Sequence, residues 1–203
     1  RAVSGLLLYI SETVMEELGS INKLTRLETK ENLFLSASAL RNLEVTRNLR
    51  DGGAKGTLLD VLDHTRTAMG SRLLRKWLES PLISPQKIEG RLDAVEELTE
   101  GYALRESLGD FLKEIYDFPR LLTRVELSTA NARDLVALKL SLAMLPQIRG
   151  ELMAVKSGLL SVCRENIEPQ EKITALLEKS IREDAGISVT EGDIIKTGYN
   201  REL

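Results

Sequence analysis

The chain has 203 residues, a formal net charge of −3, 42% hydrophobic and 29% charged residues, and only 4% aromatics. That length and composition support one or two domains with a real core and exclude a disordered chain. One cysteine excludes an internal disulfide framework and favours a reducing compartment, and no apolar run reaches the length of a membrane span. The acidic balance argues against a free-standing DNA-binding domain, whose affinity rests on neutralising phosphates.

Taken in order, Val3, Leu6, Leu7, Ile10, Val14 and Leu18 follow a helical period that stops at Gly19. Gly5–Ile10 is the nearest candidate for a signal core, but Ser11, Glu12, Glu16 and Glu17 follow it on an amphipathic helical pattern. Leu27–Ser36 alternates apolar and polar residues in part, which predicts a short strand. Ala37–Thr46 predicts a short helix carrying Leu40, Leu43 and Val45. Asp51-Gly52-Gly53 with Gly56 reads as a mobile turn.

Leu58–Leu98 is the organising stretch. Met69, Leu73 and Trp77, with Leu74 and Leu78, form one helical stripe, from which Arg72, Arg75 and Lys76 are offset. Pro81 ends it, and Ser84 and Pro85 supply a cap and a first helical position. Ile88, Leu92, Val95 and Leu98 form the next stripe. Leu104, Leu108, Phe111, Leu112 and Ile115 give another helix, broken by Asp117-Phe118-Pro119, and Leu121, Leu122 and Val125 give a short one. Asn131 with Asp134 makes a capping box for a long helix with Leu135, Leu138, Leu142 and Leu145. Pro146 would kink or end it, while Ile148, Leu152, Val155, Leu159 and Val162 continue its period. Glu168-Pro169 opens a last helix with Ile173, Leu176, Leu177 and Ile181. Beyond Gly186 the composition of Ile187–Leu203 is that of strand and hairpin.

Few residues invite chemistry. Gly52-Gly53-Ala54-Lys55-Gly56-Thr57 misses the spacing of a phosphate loop, because Lys55 precedes the last glycine and no apolar strand leads in. His64 is the only histidine, so no arrangement with a second one is possible, and Cys163 lies on an apolar stripe, which reads as a small core residue. Glu16-Glu17 and Glu96-Glu97 are adjacent pairs that point different ways on a helix, which reads as solvated faces. Trp77 reads as core. Arg66, Arg72, Arg75, Lys76 and Arg91 can pair with phosphates or with Asp60, Asp63, Glu79 and Asp93. The residues alone describe a helical scaffold without a catalytic site.

Three stretches add a resemblance. They are Arg41-Asn42-Leu43-Glu44-Val45-Thr46-Arg47-Asn48-Leu49, Lys55-Gly56-Thr57-Leu58-Leu59, and Asp63-His64-Thr65-Arg66-Thr67-Ala68-Met69-Gly70-Ser71-Arg72-Leu73-Leu74-Arg75-Lys76-Trp77-Leu78. With Arg91-Leu92-Asp93-Ala94-Val95 and Ala132-Arg133-Asp134-Leu135, they closely resemble the core domain of the bacterial MutS family of DNA mismatch-recognition proteins. Ile194-Ile195-Lys196-Thr197-Gly198-Tyr199-Asn200 is similar to the strand that enters that family's clamp.

The resemblance implies a mainly α fold: an irregular multi-helix bundle with long lever helices, a short N-terminal strand and a C-terminal β segment leading toward a clamp. The implied division is 1–186 for a partial core and lever domain and 187–203 for the start of a truncated clamp. The chain starts at Arg1 and reads as a piece of a longer protein. In such a parent a mismatch-reading domain and a connector would precede it. Most of the clamp, a returning lever helix and an ATPase domain would follow.

No catalytic, cofactor-binding, metal-binding or mismatch-contacting residue of the family maps onto this chain, so none is assigned, and its DNA contacts stay open. The implied role is mechanical coupling of the clamp and mismatch domain to the ATPase, with no enzymatic activity of its own. The parent would be a DNA-dependent ATPase using ATP and Mg. It would act on mismatched double-stranded DNA as a homodimer with a MutL-like partner, in a cytoplasmic, nucleoid-associated setting and with no membrane. The alternative is a stand-alone helical adaptor for a protein partner, unconnected to DNA. On the first reading the stripe Leu135–Val162 lacks its returning partner helix, which predicts self-association of the isolated chain.

Overall fold

The structure is a computed structural model that describes Gly5, Leu6, Leu8, Tyr9, Thr13, residues 31–184, Gly192 and residues 194–200. The chain divides into Arg1–Glu31 and Asn32–Leu203. In the first unit, the described residues Gly5, Leu6, Leu8, Tyr9 and Thr13 are helical, as predicted. The rest of that helix, with Glu16 and Glu17, lies outside the described residues.

The second unit is built of helices, each with a local cause. Ser36 Oγ accepts from Ala39 N at 3.1 Å and starts α1 (Ala37–Asn42). Thr57 and Thr67 do the same for α2 (Leu58–Leu62) and α3 (Ala68–Glu79). Pro85 stands in the first turn of α4 (Pro85–Glu100), but Ser84 does not cap it: its hydroxyl pairs with Gln86 Oε1 instead. Then come α5 (Tyr102–Lys113) and α6 (Phe118–Glu126), separated where Asp117-Phe118-Pro119 predicts a break. The capping box at α7 (Ala132–Glu151) forms in full, with Asn131 on Asp134 N and Asp134 on Asn131 N. The chain ends in α8 (Gly158–Asn166) and α9 (Glu171–Ser180).

Helix α7 is the spine. It packs on α5, α6 and α9, and its two halves serve two apolar clusters. Leu138 and Leu142 join Leu121, Leu177 and Ile181 in one. Ile148 joins Leu108, Ile115, Leu152 and Val155 in the other, and Phe118 packs against both. At about 1.5–3 kcal/mol for each large aliphatic side chain taken from water, these clusters dominate the stability of the unit.

Several expectations fail for physical reasons. The period from Leu135 to Val162 is not one helix. The chain tightens into a 3₁₀ turn at Leu152–Ala154, and Val155 becomes extended. Leu152 and Val155 thereby turn into the same cluster as Ile148, and α8 folds back on α4. Leu138, Leu142, Ile148, Leu152 and Val155 are buried by neighbouring helices, while Leu159 and Val162, on the same predicted stripe, stay exposed. Pro146 neither ends nor splits α7.

The stripe of α4 is turned outward. Leu92 and Val95 are 60% and 59% exposed, and Ala94 is the buried residue. On α3, Leu73 is exposed, while Leu74, Trp77 and Leu78 are half-buried.

Among the described residues no strand forms. Of the N-terminal strand Leu27–Ser36, the described part makes an isolated antiparallel bridge, Asn32 to Leu82, and Phe34 is exposed. The C-terminal segment makes another, Ile181 to Ile195, flanked by Arg182 N to Ile194 O at 3.0 Å and Lys196 N to Ser180 O at 2.8 Å. A bridge one residue long satisfies few backbone groups, so side-chain contacts must hold these segments.

Leu142→Ala is expected to cost about 2–5 kcal/mol in urea unfolding, and Leu92→Ala about 0.5 kcal/mol or less. Similar costs at the two sites would contradict α7 as the buried spine.

Candidate functional site

The stretches that carry the family resemblance are largely architectural. In Arg41–Leu49, Val45 is buried, and the Glu44 and Val45 carbonyls accept from Leu58 N and Leu59 N at 3.1 and 3.0 Å. The motif therefore holds the start of α2. Asp63 accepts from the Thr65 hydroxyl at 2.6 Å and from the Ser71 hydroxyl, which brings the start of α3 back to the chain before it. These hydroxyls keep its carboxyl below the usual carboxylate range. A Cβ on Gly70 would stand 3.0 Å from Thr67 Oγ1 and 3.3 Å from Thr65 Cβ, so this turn favours glycine.

The glycine loop does not fit a phosphate. Asp51 N and Gly52 N donate to Asn48 Oδ1, Gly53 N to Asp51 Oδ1, and Gly56 N to Asp60 Oδ2. Thr57 is buried, its hydroxyl between Ala54 O and Asp60 N. Donors that a phosphate would need are already engaged by the chain itself. The turn expected to be mobile is thus closed by its own hydrogen bonds.

His64 is exposed, and among the described residues it makes no side-chain hydrogen bond. Cys163 is exposed on α8, which corrects its reading as a core residue: α8 offers α4 its other face. Among the described residues no group of three His, Cys, Asp or Glu could hold a metal ion. None of their helices is long and apolar enough to cross a membrane.

What the structure does assemble is a set of polar ties between helices. Glu97 is more than a surface charge. It crosses from α4 to accept Lys156 N and Ser157 N at 2.7 and 2.8 Å, engaging two backbone donors at the start of α8. Those two amides hold its carboxyl below the usual range. Arg72 grips Asp117 with two bonds of 2.8 Å, tying α3 to the start of α6. Arg75 pairs with Glu79 as anticipated, and Arg91 lies 3.7 Å over the Trp77 ring. Arg124 reaches Asp134 at 2.7 Å and so fixes the capping box of α7.

Ser141, fully buried on α7, accepts from Tyr116 N at 2.9 Å and donates to Ala137 O at 2.8 Å. Lys139 is also buried there, between Glu178 at 2.8 Å and Glu183 at 2.9 Å. The Glu178 carboxylate, then Glu183, holds this ammonium above its ordinary value against the opposing effect of burial. Glu178 in turn takes Lys196 from the C-terminal segment at 3.3 Å, while Lys196 Nζ donates to Glu178 O at 2.6 Å. One carboxylate therefore joins α7, α9 and the departing chain. An apolar groove of 490 Å³ runs between α7 and α9 beside it, past Leu142, Pro146 and Thr174.

Sequence reasoning missed Asp117, Lys139, Ser141, Glu178 and Lys196 and misread Glu97. Lys139 did carry a signal: it stands four residues after Leu135 and three before Leu142, on the leucine face.

A family model for MutS domain III matches residues 38–202. The chain belongs to that family. It is similar over its whole length to the DNA mismatch repair protein MutS of Clostridium perfringens, at 41% identity over 203 residues. The MutS proteins of Clostridium botulinum strain Langeland and Pelotomaculum thermopropionicum are 42% and 43% identical over the same span. The chain covers 22% of the first two relatives and 24% of the third. In this MutS domain III, the ties described above lie at helix ends and helix crossings.

Glu97 has a folded-state value below its ordinary 4.5, so its contribution is present above that value and is lost as pH falls through the folded one. Glu97→Gln is expected to lower the urea midpoint at neutral pH, with the gap to the parent closing as pH falls below 4.5. A gap constant across that range would contradict the two amide bonds.

Proposed function

We propose that this chain is the core and lever segment of a MutS-like DNA mismatch-recognition ATPase. On this reading it couples the clamp and mismatch domain to the ATPase domain and performs no chemistry itself. Residues 1–186 are the partial core and lever, and 187–203 open the clamp. The parent hydrolyses ATP with Mg in its own ATPase domain, which fits a glycine loop here that is closed to phosphate. It acts on mismatched double-stranded DNA as a homodimer with a MutL-like partner, in the cytoplasm and at the nucleoid. The stand-alone adaptor reading has no support from the relatives.

One observation carries the proposal. A single helix of 20 residues, about 30 Å long, forms part of both apolar clusters and carries Lys139, which shares Glu178 with the departing C-terminal segment. A packed helix of this kind cannot bend freely, because its neighbours fill the space on three sides. Displacement at one end must therefore appear at the other or break the packing. Coupling needs an element with two arrangements that both ends bias, and the groove beside α7 leaves room for such a shift.

The test uses the longer protein. Ser141→Gly removes the Tyr116 tie and softens α7 by about 0.5 kcal/mol of helix propensity. Mismatch binding and basal ATP hydrolysis are expected to stay within about three-fold, while ATP-driven release from a mismatch slows about ten-fold or more. Glu178→Gln, which leaves α7 intact, is expected to slow release in the same direction. Normal release in both variants, or a parent without ATP hydrolysis, would overturn the proposal.

A further inference from the structure

Beside α1 lies a cleft of 440 Å³ that the coupling role does not use. Its walls include Arg41, Arg47 and Asn48, and its floor includes Leu40 and Leu49. Arg41 sits in the last turn of α1, and Arg47 stands on the loop that follows. Both are exposed, and among the described residues neither has an ion-pair partner. The nearby acids are engaged elsewhere: Glu44 accepts from Leu49 N at 2.5 Å and Asp51 from Gly53 N at 2.8 Å. The loop is also held in shape, since Asn48 bonds Asp51 N, Gly52 N and Lys55 O. Two arginines thus line a preformed cleft, and neither is ion-paired among the described residues, an arrangement that an oxyanion held by forked hydrogen bonds would complete.

The surroundings choose between sources of that oxyanion. Leu49, which lines the cleft, is 54% exposed, and Leu43, at the end of α1, is 64% exposed. Nucleic-acid interfaces are polar and strongly basic, whereas exposed apolar side chains with arginine mark protein contacts. The relatives supply such a partner in cis, because more than three quarters of their length lies outside the matched span. We propose that the Arg41–Arg47 cleft is a docking site for an acidic segment with a neighbouring apolar side chain, supplied by the part of the longer protein outside these residues. The carboxylate takes the two arginines, and the apolar side chain lies on Leu40 and Leu49. This rests on the chain working inside a longer protein, as proposed above.

Phenylglyoxal modification, which attacks accessible guanidiniums, tests it by mass spectrometry. In the longer protein without DNA, Arg41 and Arg47 are expected to react about five-fold more slowly than in this chain alone. Raising salt from about 0.1 to 1 M should restore most of the rate, because the contact is ionic and near the surface. Adding mismatched duplex should change nothing. In addition, an R41E/R47E variant of the longer protein should exchange amides faster across residues 46–50. Equal rates in both proteins, or protection that survives 1 M salt, would overturn the acidic dock. Protection that appears only with duplex would assign the cleft to phosphate and overturn it as well. ATP hydrolysis, measured in the same preparation, reports on the coupling role separately: protection without hydrolysis keeps the dock and removes that role.

Discussion

Burial of the Leu138, Leu142 and Ile148 face of α7 is the constraint from which the rest of the second unit follows. An apolar stripe on a helix this long must be covered along its whole length, and no single neighbour does so. Helices α6 and α9 cover the first half, and the α5 end and the 3₁₀ turn cover the second. Phe118 stands where the two coverings meet and packs against both clusters. The hydrophobic term is large but directionless. It explains why these helices gather around α7 and says little about their angles.

The angles come from polar groups at helix ends. Glu97 fixes where α8 begins relative to α4, Arg72 fixes α3 against the start of α6, and Arg124 secures the first turn of α7. Exposed pairs of this kind add little free energy because water screens them. Their bonds are short and directional, however, so they select one packing among several that would bury similar area. The buried ties are different. Ser141 and Lys139 sit in the apolar spine, where an unpaired group is costly, and each is fully committed to named partners. That makes α7 both the most apolar element and the one whose few polar residues report most directly on neighbouring segments.

Helices were legible wherever period and caps agreed. Asn131 with Asp134 and Pro119 after Asp117 mark real boundaries, because each rests on local backbone geometry and bonding, while Ser84 marks the start of α4 without capping it. Period alone misled twice. It joined α7 to α8, because Leu152 and Val155 keep helical spacing while a 3₁₀ turn delivers them to the core. It also turned Leu92 and Val95 inward, because a stripe does not say which side a neighbour will take. The interhelix ties were illegible for a simpler reason. Glu97 and Ser157 lie 60 positions apart, as do Arg72 and Asp117 at 45, and nothing local pairs them. The family motifs were visible as strings, yet their physical content, a loop built on Asn48 and a staple built on Asp63, emerges only from the fold.

If α7 is one rigid spine, its amides from Leu138 through Ile148 must open together, since both apolar clusters fail when either half frays. Native-state hydrogen exchange under increasing denaturant measures this directly. The account predicts that the two halves, on either side of Pro146, share the highest opening free energy of the second unit and the same denaturant dependence. Two halves that open independently, with α7 dividing at Pro146, would contradict it.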